Sequence, residues 1–256
     1  MQSVVRNAWL AERWKEVNRI LSEAGIRHIL LKGMALEHTI YGSRGLRQMN
    51  DNDILLKRED CMRAWNLLQE NGFTTEPVKS GLHRKILLDI GKHLPSLYKD
   101  GYSVEIHHRL FNESPDKGKE PTDYFADSEE INVGETKALI LSKKDQLEHL
   151  VSHYYKHAEE GNCQLRLYAD ILLLDDTIDL DFPEHFIGNP KQGMSLAQRK
   201  AAYKSVIKSI PAGSRLRYII GDTFPSIEWM RKRHGCGGLK ALLFYPRRIG
   251  KVSWIF

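Results

Sequence analysis

Two short apolar runs, HILLK at 28–32 and DILLK at 53–57, constrain this chain most. Each reads as a buried strand, and the first ends at Gly33. Strands this apolar must lie inside a sheet covered by other elements. Helical signals surround them. Leu10, Trp14, Val17 and Leu21 recur at i, i+4, i+7 and i+11, which predicts an amphipathic helix over 3–24 stopped by Gly25. MALEHTIY (34–41) suits a short helix closed by Gly42, and SRGLRQMN (43–50) reads as a loop. Arg58 to Asn71 suits a helix with Cys61, Ala64, Trp65 and Leu68 on one face, ended by Gly72. Segments 73–78 and 94–99 are weaker strand candidates than VEIHHRL at 104–110. This order describes a sheet with helices packed on it, an α+β or α/β fold.

NESPDKGKEPTD (112–123) is a polar loop and a candidate boundary. Beyond it the pattern turns mainly helical, with helices expected over 143–160, 164–175 and 195–210. The expected organisation is an N-terminal helix (1–25) packed on a core (26–135), followed by a helical C-terminal region (136–256). No repeat or low-complexity segment interrupts it.

Charge and cysteine usage narrow the function classes. The formal net charge of +5 over 256 residues is mildly basic. It is not the signature of a strong nucleic-acid binder; a surface rich in Lys and Arg is the preferred reading, and a phosphate-rich small ligand also suits the balance. Cys61, Cys163 and Cys236 form no CxxC pair, which argues against a disulfide framework or structural zinc site and fits a reducing cytoplasm. The N-terminal MQSVVRNAWLAERWKEV lacks the apolar stretch of a signal peptide, and no run approaches the ~20 apolar residues needed to span a bilayer.

The chemistry is expected at Asp51 and Asp53, which flank Asn52 where the second strand begins. Residues i and i+2 on a strand share a side, so the two carboxylates repel and raise each other's pKa. A divalent cation removes that penalty, and magnesium takes one or two carboxylates plus substrate phosphates. Glu105, on a later strand, is placed to supply a third carboxylate. A DxD alone is a weak signal. Lys32-Gly33 closing one strand and Arg44 and Arg47 in the loop before the acids strengthen it.

Other polar clusters carry alternatives. His149, His153 and His157 at i, i+4 and i+8 have zinc-binding spacing, but Lys156 beside them opposes a metal and favours a polar helix face. Of His107 and His108, only His107 shares the side of Glu105; strand packing and catalysis are equal readings for it. His93 precedes a strand, with its role open. Arg166 and Asp170, four apart, suit an exposed pair, or Asp170 orients Lys156 or His153. The basic C-terminal cluster MRKRHG (230–235), with Trp229, Phe244, Tyr245 and Trp254 interspersed, suits a single-strand nucleic-acid surface or, preferably, a solvated basic face over core aromatics.

LLKGMAL (30–36), YGSRGLRQMNDNDILLKRED (41–60) and HLPSLYKDGYSVEIHHRL (93–110) together resemble the uncharacterised bacterial nucleotidyltransferase family of the polymerase-beta-like superfamily. HLVSHYYKHAEEGNCQLRLYADI (149–171) resembles that family's helical His-x-x-Lys-His and Arg-x-x-x-Asp segments, and FPSIEWMRKRHG (224–235) and FYPRR (244–248) its usual ending. The chain has Lys32-Gly33-Met34 where the superfamily usually has Gly-Gly or Gly-Ser, and Asn52 where an apolar residue is usual. Residues 176–222 fit the family poorly.

The resemblance implies a polymerase-beta-like core, a small mixed sheet with packed helices, plus a mainly helical C-terminal region. It implies a cytoplasmic enzyme that moves a nucleoside monophosphate, AMP above all, from a nucleoside triphosphate to an unidentified acceptor. A small molecule, peptide or protein is expected as acceptor ahead of nucleic acid. Asp51, Asp53 and Glu105 would hold two magnesium ions, and Gly33 would let the backbone approach phosphate. Lys32, Arg47 and Lys156 would neutralise its charge. Two rivals remain: a non-catalytic module of the same fold that binds nucleotide or a partner protein, and a nucleic-acid-modifying transferase, which would demand a larger basic surface than a net charge of +5 suggests.

Overall fold

The computed structural model describes residues 2–111, 121–159, 165–180, 196–246 and 249. They group into two compact units, one formed by 1–74 with 92–192 and the other by 75–91 with 193–256.

The first unit is built on a mixed sheet. Helix α1 (Gln2–Glu23) precedes β1 (His28–Leu31), α2 (Lys32–His38), β2 (Asn52–Leu56) and α3 (Arg58–Glu70). Then come β3 (Thr74–Thr75), β4 (Leu97–Lys99) and β5 (Tyr102–His107). Between β3 and β4 lies the short helix α4 (Gly81–Arg84), which belongs to the second unit. Helix α5 (Pro121–Ala126), β6 (Glu129–Val133), β7 (Thr136–Ile140), α6 (Lys143–Glu159) and α7 (Leu165–Leu174) complete the first unit. The seven strands lie in the order β3-β4-β5-β2-β1-β7-β6. β1 runs antiparallel to β2 and parallel to β7, and β2 runs parallel to β5.

Both central strands are buried at every position, as the apolar runs 29–31 and 54–56 require when a sheet is covered on both faces. Leu10, Trp14, Val17 and Leu21 of α1 are fully buried, and Trp14 meets His28 edge-on at a centroid distance of 5.3 Å. Ile29, Leu31 and Leu55 join Leu110, Phe111, Tyr124, Phe125 and Leu141 in one core cluster. Leu36 of α2 joins Leu150, Tyr154, Leu167 and Ile171 of α6 and α7 in another. Asn52, polar where an apolar residue was expected, is wholly buried. Its Nδ2 donates to the Tyr102 hydroxyl at 2.8 Å, and this bond offsets part of the desolvation cost.

The expected division at 135 falls between Glu135 and Thr136, within the tight turn of the β6–β7 hairpin. The missed signal is the alternation Ile131, Val133, Ala138, Ile140 around Gly134. Helices α6 and α7, from the expected helical C-terminal region, lie in the sheet's own unit. Most of the polar loop 112–123 lies outside the described residues. The strand expected over 73–78 shrinks to two residues, because Pro77 has no N–H for a ladder.

The second unit comprises α4, α8 (Leu196–Ser209), α9 (Ala212–Thr223) and α10 (Ile227–His234), followed by a 3₁₀ segment at Gly238–Phe244. The Ser226 side chain caps the start of α10 and Gly235, at φ 58°, ends it.

Candidate active site

Strand order brings together residues that lie far apart in sequence. Because β1 and β2 are antiparallel, Lys32, just past the end of β1, comes beside the start of β2. Because β2 and β5 are parallel and in register, Asp53 lies directly opposite Glu105. His107, two residues further along β5, projects from the same face.

The side chains make a tight cluster. Lys32 Nζ donates to Asp53 Oδ2 at 2.7 Å, and His107 Nε2 donates to Asp53 Oδ1 at 3.0 Å. Ser96 Oγ donates to Glu105 Oε1 at 2.8 Å, while Glu105 Oε2 lies 3.8 Å from both His93 Nε2 and His107 Nε2. Burial would push Asp53 upward, but the Lys32 charge and the His107 hydrogen bond outweigh it and hold the carboxyl well below its ordinary range. Burial carries the His107 imidazole down to about 3, so it is a neutral ring whose Nε2–H is committed to Asp53.

Asp51 stands just ahead of β2 and is exposed. Its carboxyl is pushed up, first by loss of surrounding water and then by the charges of Asp53 and Glu105. Among the described residues, the ligand atoms of Asp53, Glu105 and His107 fall within 4.8 Å of one another; Asp51 is outside that group but within reach of its field. The donor set fits a hard divalent cation. Carboxylate oxygens dominate it, and an ionised carboxylate has about four lone-pair sites, so Asp53 keeps acceptor capacity beyond Lys32 and His107.

Two lysines face the acids, Lys32 and Lys92, for which the sequence carries no local signal; Lys156 of α6 lies close enough to Lys92 for its charge to act there. Leu94 N donates to Ile106 O at 2.8 Å and His108 N to Lys92 O at 3.0 Å, which ties 92–94 along the end of β5. Lys92 is brought down to about 8, by burial first and then by the charges of Lys32 and Lys156, against the pull of Asp53 and Glu105. Lys32 begins α2 with φ 47°, a backbone state that costs a non-glycine residue about 1–3 kcal/mol and that tends to persist at working sites.

The histidines of α6 face the same place. His149 is driven well below its ordinary value, and His153 to about 2, by burial and then by the charges of Lys32 and Lys92. The two imidazoles are neutral polar groups within the field of Lys32 and Lys92. His153 Nε2 and His157 Nε2 lie 3.2 Å apart, in hydrogen-bond contact.

Arg47 and Asp170 have a different place from the one expected. Arg47 Nε donates to Asp170 Oδ1 and Oδ2 at 2.8 and 2.9 Å, and Nη2 to Oδ2 at 2.7 Å; both residues are buried. Nη1 donates to Gln48 O at 2.6 Å, and the Tyr41 hydroxyl donates to Asp170 Oδ1 at 2.8 Å. Every nitrogen of the guanidinium is engaged, so Arg47 is a brace and not a free phosphate ligand. Asp170 accepts from Arg47 and Tyr41, and Arg166 donates to Gln48 O at 2.9 Å while lying in the field of the Asp170 carboxylate. Glu37 adds a second brace: its buried carboxylate accepts from the backbone N–H groups of Gly45 and Arg47. At Gly33 a Cβ would meet Met49 Cβ at 3.1 Å, so the small residue lets this loop close against α2.

The profile of a family described as an uncharacterised nucleotidyltransferase matches residues 1–186. The chain belongs to that family. The match spans α1 to α7 and contains the whole acid–lysine cluster. The segments 224–235 and 244–248 lie beyond it. None of the curated proteins matches the chain. Among the described residues no helix is long and apolar enough to cross a membrane.

Proposed function

We propose that this chain is a magnesium-dependent enzyme that transfers a nucleoside monophosphate, AMP in the first instance, from a nucleoside triphosphate to an acceptor hydroxyl, phosphate or amine. The observation that carries the reading is the register pairing of Asp53 with Glu105, with Lys32 closing on Asp53. Carboxylates and lysines facing one pocket are what a site needs to hold both a cation and a polyphosphate.

Asp51, Asp53 and Glu105 would hold the metal, up to two ions. Bound there, magnesium would neutralise phosphate charge and lower the pKa of the acceptor group. Lys32, Lys92 and Lys156 would bind the triphosphate by charge-assisted hydrogen bonds. In the transfer, the acceptor oxygen or nitrogen bonds to the α-phosphorus, the bond to pyrophosphate breaks, and the acceptor's proton passes to Glu105 or to solvent. His107 keeps Asp53 ionised and aimed. His93, His149 and His153 are polar wall residues for the base, ribose or acceptor. Arg47 and Asp170 hold the loop that delivers Asp51. Scattered cysteines support a cytoplasmic setting, with Cys61 buried and its thiol pushed up to about 12 by burial.

A thermal-shift titration with Mg²⁺ and ATP tests the reading. A ligand bound only by the native state raises Tm by mass action. Asp53→Asn should erase the magnesium-dependent part of the shift. The shift, not Tm itself, is the readout, because the variant also strips Lys32 of its partner. A magnesium-dependent shift of wild-type size in Asp53→Asn would place the metal elsewhere. Transfer of α-labelled nucleotide into host lysate fractions then identifies the acceptor.

A further inference from the structure

The net charge of +5 conceals a strong polarity along the chain. Residues 193–256 contain thirteen Lys and Arg against two Asp and Glu, a net of +11, while residues 1–192 carry a net of −6. The basic segment lies wholly in the second unit and beyond the family match. We propose that this unit is a binding surface for single-stranded nucleic acid. The proposal does not depend on the transfer chemistry and would stand if that reading failed.

Little of this charge is compensated among the described residues: Lys232 pairs with Glu76 of the same unit, while Lys204, Lys208, Arg233 and Lys240 are exposed. Asp222, one of the two acids, is buried and taken up by Lys79 and the Tyr203 hydroxyl, so it offers nothing to the surface. Lys204 and Lys208 are exposed four residues apart on α8, about 6 Å along the helix axis. Arg231 and Arg233 on α10 and Lys240 beyond it are exposed as well. A single phosphate group would be satisfied by two or three of these cations. Cations carried on separate elements suit a chain of phosphates. Charge spread in this way, rather than along the polar side of one amphipathic helix, favours a flexible polyanion over a lipid surface.

Aromatic rings are interleaved with the cations: Trp229, Phe244 and Tyr245 are half-buried and not the fully buried core rings that the sequence suggested, and Trp254 lies outside the described residues. Phe224 is 55% exposed. Trp229 is half-buried, with Lys79 Nζ 5.5 Å and the Arg233 guanidinium 6.0 Å from its ring centroid. His234 stacks on Phe244 at 3.9 Å and 5°. Partly open rings beside cations are the combination that binds unpaired bases without reading their sequence.

Fluorescence anisotropy of the full-length protein with a fluorescein-labelled oligouridine of about 20 nucleotides tests this directly, since one site covers about 4–16 nucleotides. If four phosphates are neutralised, a slope of about −0.7 per phosphate gives a roughly fiftyfold loss of affinity between 50 and 200 mM salt. The pairs Lys204→Glu/Lys208→Glu and Arg231→Glu/Arg233→Glu should each weaken binding at least about tenfold and flatten that slope. Exposed Lys144→Glu in the first unit should leave binding unchanged, and circular dichroism should show all variants folded. RNA affinity that ignores both charge reversals overturns the proposal. So does a protein that ignores RNA yet floats with phosphatidylserine vesicles.

Discussion

Arg47 and Asp170, 123 positions apart, form a buried ion pair whose three hydrogen bonds measure 2.7–2.9 Å. It fastens the loop ahead of β2 to α7. The spacing Arg47-x-x-x-Asp51-x-Asp53 thus reads as an anchor followed by the acids it positions.

Asp170→Ala should destabilise the protein by about 3–5 kcal/mol, because it strands a buried guanidinium. The double variant Arg47→Met/Asp170→Leu should regain much of that loss, since no unpaired charge remains. Urea denaturation of the two variants and wild type measures both effects. Near-wild-type stability for Asp170→Ala would mean that Arg47 reaches solvent and is not the brace described.

Glu105→Gln nearly keeps its shape and removes one charge from the cluster. Nucleotide binding should persist, because Asp51 and Asp53 remain, while turnover falls by about two or more orders of magnitude, a range typical of losing a proton-transfer group. Calorimetry and single-turnover label transfer separate the two readouts. Normal transfer by this variant would remove Glu105 from the chemistry.

Lys92, titrating near 8 with its proton disfavoured by burial and by Lys32 and Lys156, is largely charged at pH 7. A bound triphosphate should stabilise that proton, so binding above pH 8 requires proton uptake. Affinity for ATP should therefore weaken as pH rises through 8, and Lys92→Met should flatten this limb and bind ATP more weakly throughout. A wild-type pH profile in Lys92→Met would assign the limb to another group.

His149 is buried neutral, with a pKa well below the ordinary 6.5. Below pH 6.5 the unfolded chain binds a proton that the native state refuses, so stability is lost as pH falls and is fully present above that value. Each such imidazole adds a slope of about 1.4 kcal/mol per pH unit, and His107, His108 and His153 act in the same direction. Replacing His149 with Leu should remove about one proton's worth of this slope between pH 6 and 4, as read from urea midpoints. An unaltered slope would mean that His149 is protonated in the native state.

The sequence by itself determined the elements that local pattern controls. Unbroken apolar runs gave β1 and β2, and the spacing of Leu10, Trp14, Val17 and Leu21 gave α1. It also marked Asp51, Asp53 and Glu105, because acids at the ends of apolar strands are out of place unless something compensates them. The excess of cations after residue 192 was legible too, once charge was counted by segment and not over the whole chain. Only the tertiary structure decided which partners those groups take. Strand register, set by pairing across the sheet, put Asp53 opposite Glu105 and beside Lys32. The crossing of 92–94 with the end of β5 brought in Lys92, for which no local pattern exists. Burial turned Arg47 from a candidate phosphate ligand into a brace, since a guanidinium shut away from water must pair with an anion, and Asp170 was the one that the fold placed within reach.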